Sequence, residues 1–321
     1  MHINEIMALT TIDNQETLKL DEVDKKLFYY LSQNIRYPRN ELAKKLRVSK
    51  EKLNYRIERL LKTIIEPIVL FNFPLFGFKS YYIFTNQLSK ERIEQLSDHD
   101  EVYLLTQNVG RYNHTIHVVT FDIEQFLKKH LGEEQFEIFE INEYLDDDFN
   151  GFHIKDKQKK RKTTNIQSLD LIDYKILAEL YQNPIASYLQ LANDSGIDRR
   201  TIKKRVDQLV ENNYIQKFRF IVNAYKTGFQ SYLLKIDFKM NQKEELILKL
   251  QSNDYSGFMY TSINSLYMWY LPTNHLELFE FTHSVEKSFQ GVSIEVIQVS
   301  DVHHLSFMPK VALNYFKHKI I

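Results

Sequence analysis

The chain contains no cysteine. That absence removes disulfides, thiolate zinc sites and thiol nucleophiles together, and it fits a reducing cytoplasm. Glycine is almost as scarce: Gly77, Gly110, Gly132, Gly151, Gly196, Gly228, Gly257 and Gly291 are all there are. The Rossmann fingerprint and the P-loop need several glycines within about seven residues. No two here lie that close, which argues against a nucleotide-dependent enzyme of either kind. No apolar run reaches the roughly 18 residues of a membrane-spanning helix. The first twenty residues lack both the basic start and the apolar stretch of a signal peptide. Net charge is also missing, with 42 basic residues against 42 acidic ones.

What is present is enough apolar content, 43%, to build packed cores. A length of 321 residues leaves room for roughly two to four domains. The zero net charge is made of separated blocks. Between Gly132 and Asp148 there are acids at 133, 134, 137, 140, 143 and 146–148 and no Lys or Arg. Between His153 and Ser168, Lys155, Lys157, Lys159, Lys160, Arg161 and Lys162 face Asp156 alone. Such segregation leaves a basic, DNA-facing surface open to a chain of no net charge.

The sequence repeats itself. Leu20-Asp21 with Asp24 returns as Leu169-Asp170 with Asp173. Leu27, Leu31, Leu42-Ala43, Leu53, Arg56 and Leu60 return as Ile176, Leu180, Leu191-Ala192, Ile202, Arg205 and Leu209, each 149 residues later. Gly77-Phe78-Lys79-Ser80-Tyr81 returns as Gly228-Phe229-Gln230-Ser231-Tyr232, and Phe136 to Ile141 as Ile294 to Val299. The duplication covers nearly everything after Lys19.

Within one copy, apolar residues at 23, 27, 28, 30 and 31 follow helical spacing. Leu42, Ala43 and Leu46 predict a second, short helix, and Arg47-Val48 a turn. Ser49 is a good N-cap for a third helix with the inner stripe Leu53, Ile57, Leu60 and Leu61. In the second copy Gly196 stands in the turn, Asp198 is the N-cap, and the stripe is Ile202, Val206, Leu209 and Val210. Two short helices joined by a tight turn inside a three-helix unit are the helix-turn-helix arrangement. Residues 64–71 and 215–222 then read as extended wings. After each wing the period alternates as β-α-β-β-α-β, the ferredoxin-like order. The expected class is α+β: two repeats, each a winged helix-turn-helix followed by a ferredoxin-like βαββαβ domain. The expected boundaries are a tail over 1–19, winged units over 20–72 and 169–223, ferredoxin-like effector and dimerisation domains over 73–152 and 224–321, and a basic linker over 153–168.

These motifs, together with Arg36, Val48-Ser49, Arg56-Ile57, Gly196-Ile197 and Arg205-Val206, resemble the Lrp/AsnC family, the leucine-responsive and asparagine-related regulators of bacteria and archaea. The resemblance runs almost end to end through each half. It implies a sequence-specific, DNA-binding transcription regulator of the cytoplasm and no enzyme. It implies double-stranded DNA as partner, a second domain that pairs with its own kind and senses a small molecule such as an amino acid, and assembly as a homodimer or higher oligomer. With both units in one chain, the two ferredoxin-like domains are expected to pack sheet to sheet as an intrachain pseudo-dimer, leaving two reading heads free to prefer different half-sites.

The candidate site follows from the third helix of each copy. Its inner stripe leaves Lys50, Lys52, Asn54, Tyr55 and Arg59 outward in the first and Arg199, Arg200, Lys203 and Lys204 outward in the second. Arg and Lys read guanine edges and Asn reads adenine from the start of such a helix. Arg56 and Arg205 recur together with Asp24 and Asp173, which favours a structural tie over a phosphate contact. Gln107, Gly110, Arg111 and Tyr112 resemble the family's effector-contacting segment, whereas the matching stretch 261–267 has no glycine. His114 and His117, three apart on a strand, point to opposite faces. With no Cys beside the histidines, no metal site is expected, nor any cofactor. The acids around Phe136, Ile138 and Ile141 read as an exposed strand face. The linker cations read as a tether or as nonspecific phosphate contacts. The main alternative is a sirohaem-decarboxylase-like enzyme of haem biosynthesis, which looks like the same two-domain unit but has no need of basic recognition helices. A third reading is a sensing protein without DNA affinity.

Overall fold

The protein is described here from a computed structural model covering residues 18–132, 135–145, 168–253, 256–305 and 309–320. Most of the N-terminal tail, the basic linker with Lys155 to Lys162, and the acids at 133, 134 and 146–148 lie outside the described residues.

The first head consists of α1 (Glu22–Gln33), α2 (Arg39–Leu46), α3 (Lys50–Thr63) and the wing strand β1 (Ile65–Phe71). Asp21 caps α1: its Oδ1 accepts from the backbone N–H of Val23 at 2.9 Å and of Asp24 at 2.8 Å, while Asp24 Oδ2 accepts from the Asp21 N–H at 3.2 Å. The reciprocal bonds satisfy donors that a helix start otherwise leaves orphaned. The chain turns out of α2 through Arg47 in the left-handed region (φ 55°), and Ser49 Oγ caps α3 by accepting from Lys52 N–H.

The first ferredoxin-like domain runs β2 (Lys79–Thr85), α4 (Lys90–Ser97), β3 (Val102–Val109), β4 (His114–Thr120), α5 (Ile123–His130) and β5 (Phe136–Ile141), followed by the short β6 (Glu143–Leu145). The second head repeats the first as α6 (Leu171–Gln182), α7 (Tyr188–Ser195), α8 (Arg199–Glu211) and β7 (Ile215–Val222). Asp170 and Asp173 repeat the capping exchange, and Gly196 (φ 70°) takes the turn position of Arg47. After α9 (Ala224–Thr227) come β8 (Tyr232–Asp237), α10 (Lys243–Gln251), β9 (Ser256–Thr261), β10 (Ser265–Tyr270), α11 (His275–Ser288), β11 (Ser293–Leu305) and α12 (Lys310–His318).

The two wings pair with each other. β1 and β7 form an antiparallel ribbon from Ile65 opposite Val222 to Phe71 opposite Ile215. Its ends are tied by Asn72 N–H to the Tyr214 carbonyl and Asn223 N–H to the Ile64 carbonyl. α1 packs on β7, with the Phe28 and Phe220 rings 4.6 Å apart edge to face. The inner stripes of both heads therefore join one core, in which Leu53, Ile57 and Leu60 share a cluster with Ile202, Val206 and Leu209. Arg36 crosses between the heads: its guanidinium lies 4.9 Å over each of the Tyr188 and Phe218 rings and donates to the Pro184 carbonyl at 3.3 Å.

Each ferredoxin-like half keeps the strand order of its class, and the halves join edge to edge into a nine-stranded sheet, β5-β2-β4-β3-β11-β8-β10-β9-β6. β11 makes one seam. Its first part pairs with β8, and its continuation from Gln298 to Leu305 pairs with β3 of the other half. β6 makes the other seam on β9. Because only Asn142 separates β5 from β6, the chain passes directly from one end of the strand order to the other. Helices cover the outer faces, with Leu96 and Phe126 over Ile83, Leu105 and Ile116 in one half and Leu246, Leu278 and Phe281 over Leu234, Ile236 and Met268 in the other. The inner faces meet through Tyr82, Phe84 and Tyr112 against Leu233, Tyr260, Tyr267 and Ile297. Phe139 and Ile141 also pack there, while Ile138 and Glu140 are exposed. The acidic strand is thus half inward, a correction to the plain exposed face expected of it.

Helix α12 was not foreseen. Phe316 packs 5.4 Å from Phe71 and 5.0 Å from Phe76, while Tyr315 reaches Phe78 and Tyr174. The last helix of the second half thereby braces the first wing, the first ferredoxin-like domain and the second head together. Among the described residues, no helix is long and apolar enough to cross a membrane.

Candidate nucleic-acid interface

α3 and α8 are held alike. Leu53, Ile57 and Leu60 are buried on α3, and Ile202, Val206 and Leu209 on α8. In α8 the Asp198 Oδ1 accepts from the N–H of Arg200 at 2.9 Å and of Thr201 at 3.0 Å. Hydrogen bonds from Thr201, side chain first and then backbone, hold the Asp198 carboxyl below the usual range. The cap is therefore a fixed anion at the positive end of the helix.

With these stripes inward, Lys50, Lys52, Asn54 and Tyr55 are exposed on α3, and Arg199, Arg200, Lys203 and Lys204 on α8. Tyr55 is 68% exposed, which is unusual for so large a ring. Lys203 also makes a surface pair with Asp207 at 3.3 Å.

Arg59 departs from its expected place. Its Nη2 pairs with Asp24 Oδ2, and Asp24 is 1% exposed. Arg56 shares the same carboxylate, at 2.6 Å from Nη1 to Oδ1, and reaches Asp21 at 2.8 Å. The hydrogen bond to Asp24, against a smaller opposing effect of burial, makes the Arg56 guanidinium harder to deprotonate than usual. A carboxylate buried this deeply needs full compensation, and it draws in both arginines. In the second head Arg205 alone serves, at 2.7 Å from Asp170 and 3.4 Å from Asp173; Gln208 stands where Arg59 would be. The structural reading of Arg56 and Arg205 is the one their geometry carries.

The β3–β4 hairpin places Gly110, Arg111 and Tyr112 against the second half. Gly110 has φ 142°, and a Cβ there would lie 3.5 Å from the Val296 carbonyl oxygen of β11. Arg111 pairs with Glu137 at 2.6 Å and Glu295 at 3.8 Å, and its guanidinium lies 5.0 Å from the Tyr112 ring centroid. Lys235, nearly buried, approaches Glu137 at 3.8 Å and sits over the Phe139 ring. Gln107 is exposed on β3, which leads into this hairpin, and lies opposite Asp301 across the seam. In the second half Ser265 Oγ instead donates to Asp237 at 2.5 Å and no arginine occupies the hairpin.

His114 approaches His303, their ring centroids 6.3 Å apart, whereas His117 lies among tyrosines between the sheets. Among the described residues, no group of three or more metal-ligating side chains comes together.

The family described as winged helix-turn-helix DNA-binding matches residues 20–63 and 169–216. A helix-turn-helix transcriptional regulator of Pyrococcus furiosus is 30% identical over 118 residues, spanning 35% of this chain and 80% of the relative. The regulator Ptr1 of Methanocaldococcus jannaschii is 33% identical over 87 residues, 27% of this chain and 59% of its own length. Another P. furiosus regulator is 30% identical over 83 residues, 26% of this chain and 56% of the relative. The chain thus spans a little over half the length of these last two. In overall shape it is similar to the siroheme decarboxylase NirDL, with a TM-score of 0.60 over 94% of this chain and 98% of that one at 12% identity; at that identity the likeness is one of fold. The chain belongs to the helix-turn-helix transcriptional regulators.

Proposed function

We propose that the protein is a cytoplasmic, sequence-specific transcription regulator that binds double-stranded DNA with both heads at once. One observation carries this reading: two capped third helices expose their cations while wing pairing and a shared core fix the heads to each other. The contacting residues are Lys50, Lys52, Asn54, Tyr55, Arg199, Arg200, Lys203 and Lys204. Arg59 is left out because it neutralises Asp24. The hairpin with Gly110, Arg111 and Tyr112, with Gln107 beside it, is the effector site. Its mixed cations and carboxylates suit a zwitterion such as an amino acid, and the intrachain pair assembles further through its outer surface.

The test is fluorescence anisotropy with a duplex from upstream of the protein's own gene, comparing wild type with R199A/R200A/K203A/K204A. The reading predicts binding by wild type that the variant loses. No binding by either protein to this duplex, or to pooled genomic fragments at low salt, refutes it.

The decarboxylase reading has the shared fold in its favour. Against it, the space between the sheets is filled by aromatic rings such as Tyr82, Phe84 and Tyr267. Visible absorbance on adding sirohaem distinguishes the two.

A further inference from the structure

The two recognition helices share everything that sets their pose and little of what they present. Their inner stripes, N-caps and arginine ties correspond position by position, so they sit alike in their heads. On the outer face Glu51 stands where Arg200 does, Asn54 where Lys203 does, and Tyr55 where Lys204 does. Over its first nine residues the first helix exposes two cations, Lys50 and Lys52, against two acids, Glu51 and Glu58; over the same stretch the second exposes four cations against Asp207. Asp24 widens the difference by removing Arg59 from the outer face of the first.

We infer that the chain reads a non-palindromic duplex whose two half-sites differ in chemistry, an A/T-containing half under α3 and a guanine-containing half under α8. The inference rests on the DNA-binding reading above. The side-chain amide of Asn54 both donates and accepts, which matches adenine N6 and N7, and the exposed Tyr55 ring suits a thymine methyl. Arg199 and Arg200 at the start of α8 are placed as guanine readers, donating to O6 and N7.

Two identical subunits related by a two-fold axis read a dyad, since each meets the same half-site. Here the heads differ covalently and cannot exchange places. The β1–β7 ribbon, tied at both ends, and the Arg36 clamp between Tyr188 and Phe218 hold them in one order and one spacing. A site of fixed polarity follows. Arg36 itself has no counterpart, since Ile185 occupies its place in the second copy. The joint between the heads is asymmetric too.

The test is selection of bound sequences from a random duplex pool by the full-length wild type, N54A/Y55A and R199A/R200A. All four positions are exposed, so the variants keep the fold. The wild type is expected to select two dissimilar halves at one spacing. N54A/Y55A is expected to lose preference in the A/T half alone and R199A/R200A in the guanine half alone, by about 5- to 150-fold per contacted base pair. Two halves within one site that are inverted copies of each other overturn the inference while leaving DNA binding intact. So does a variant that flattens both halves equally. Failure of the wild type to enrich any duplex overturns DNA binding itself, and the inference with it.

Discussion

His117 sets a pH dependence that follows from its surroundings. Its ring centroid lies 4.4 Å from that of Tyr103, 4.7 Å from Tyr82 and 5.5 Å from Tyr260, and among the described residues neither ring nitrogen has a hydrogen-bond partner. Burial disfavours the charged imidazolium and pushes its pKa down to about 3, against about 6.5 in the unfolded chain. Between those values the unfolded chain takes up a proton that the native one refuses. The stability contributed by neutral His117 is therefore whole above pH 6.5 and is lost as the pH falls, by about 1.4 kcal/mol per unit. At pH 5 the loss is about 2 kcal/mol relative to pH 7.5. His117→Phe removes the titrating group and keeps a ring in the space. Its effect at neutral pH mixes overpacking with the relief of two orphaned nitrogens. The change in the gap between variant and wild type is cleaner. His130, pushed to about 4 first by burial and then by neighbouring His99, titrates in both proteins and cancels. Urea unfolding at pH 7.5, 6.5, 5.5 and 5.0, followed by fluorescence, should show the variant gaining about 2 kcal/mol on the wild type across that range. Parallel pH profiles would mean that protons reach His117 in the native state, and the argument from burial would fall.

Two further substitutions probe the fold. Asp24→Asn leaves Arg56 and Arg59 without their buried anion and should cost about 3 kcal/mol, the low end for breaking a buried pair because both arginines keep some water. Arg59→Gln, which imitates the second head, should cost about 1 kcal/mol, since Arg56 remains; equal losses for the two in denaturant titrations would refute this account of the cluster. Gly257→Ala places a Cβ 3.1 Å from both the Cβ and the carbonyl oxygen of Trp269. The β9–β10 pair must then shift, at about 1–3 kcal/mol, and an unchanged melting midpoint would contradict it.

Local patterns were readable and pairings between copies were not. Helical spacing marks the stripes Leu53-Ile57-Leu60 and Ile202-Val206-Leu209, and Ser49 and Asp198 mark the caps, because those signals lie within a few residues of what they specify. The expectation that the two sheets pack face to face is met by Tyr82, Phe84, Tyr260 and Tyr267. The β1–β7 ribbon, the continuation of β11 onto β3 and the β6 seam are backbone hydrogen bonds between distant segments, and such bonds carry no side-chain signature. Arg59 looked outward because helical phase alone cannot register a buried acid such as Asp24 on another helix. In the effector hairpin, Gly110 and Arg111 stood out by residue type, while their partners Glu137, Glu295 and Lys235 come from other strands and only the fold collects them. Helix α12 had its signal in Val311, Ala312, Tyr315 and Phe316, at helical spacing beyond the last expected strand.

The most direct test of the central claim is the salt dependence of duplex binding by the wild type and by R199A/R200A/K203A/K204A. Plotted as log association constant against log salt concentration, the wild type should fall steeply. The variant should fall less steeply, by about 0.9 in slope for each of its four lost cations that meets a phosphate. Equal slopes for the two proteins, or wild-type binding indifferent to salt, would contradict a DNA-reading surface on α8.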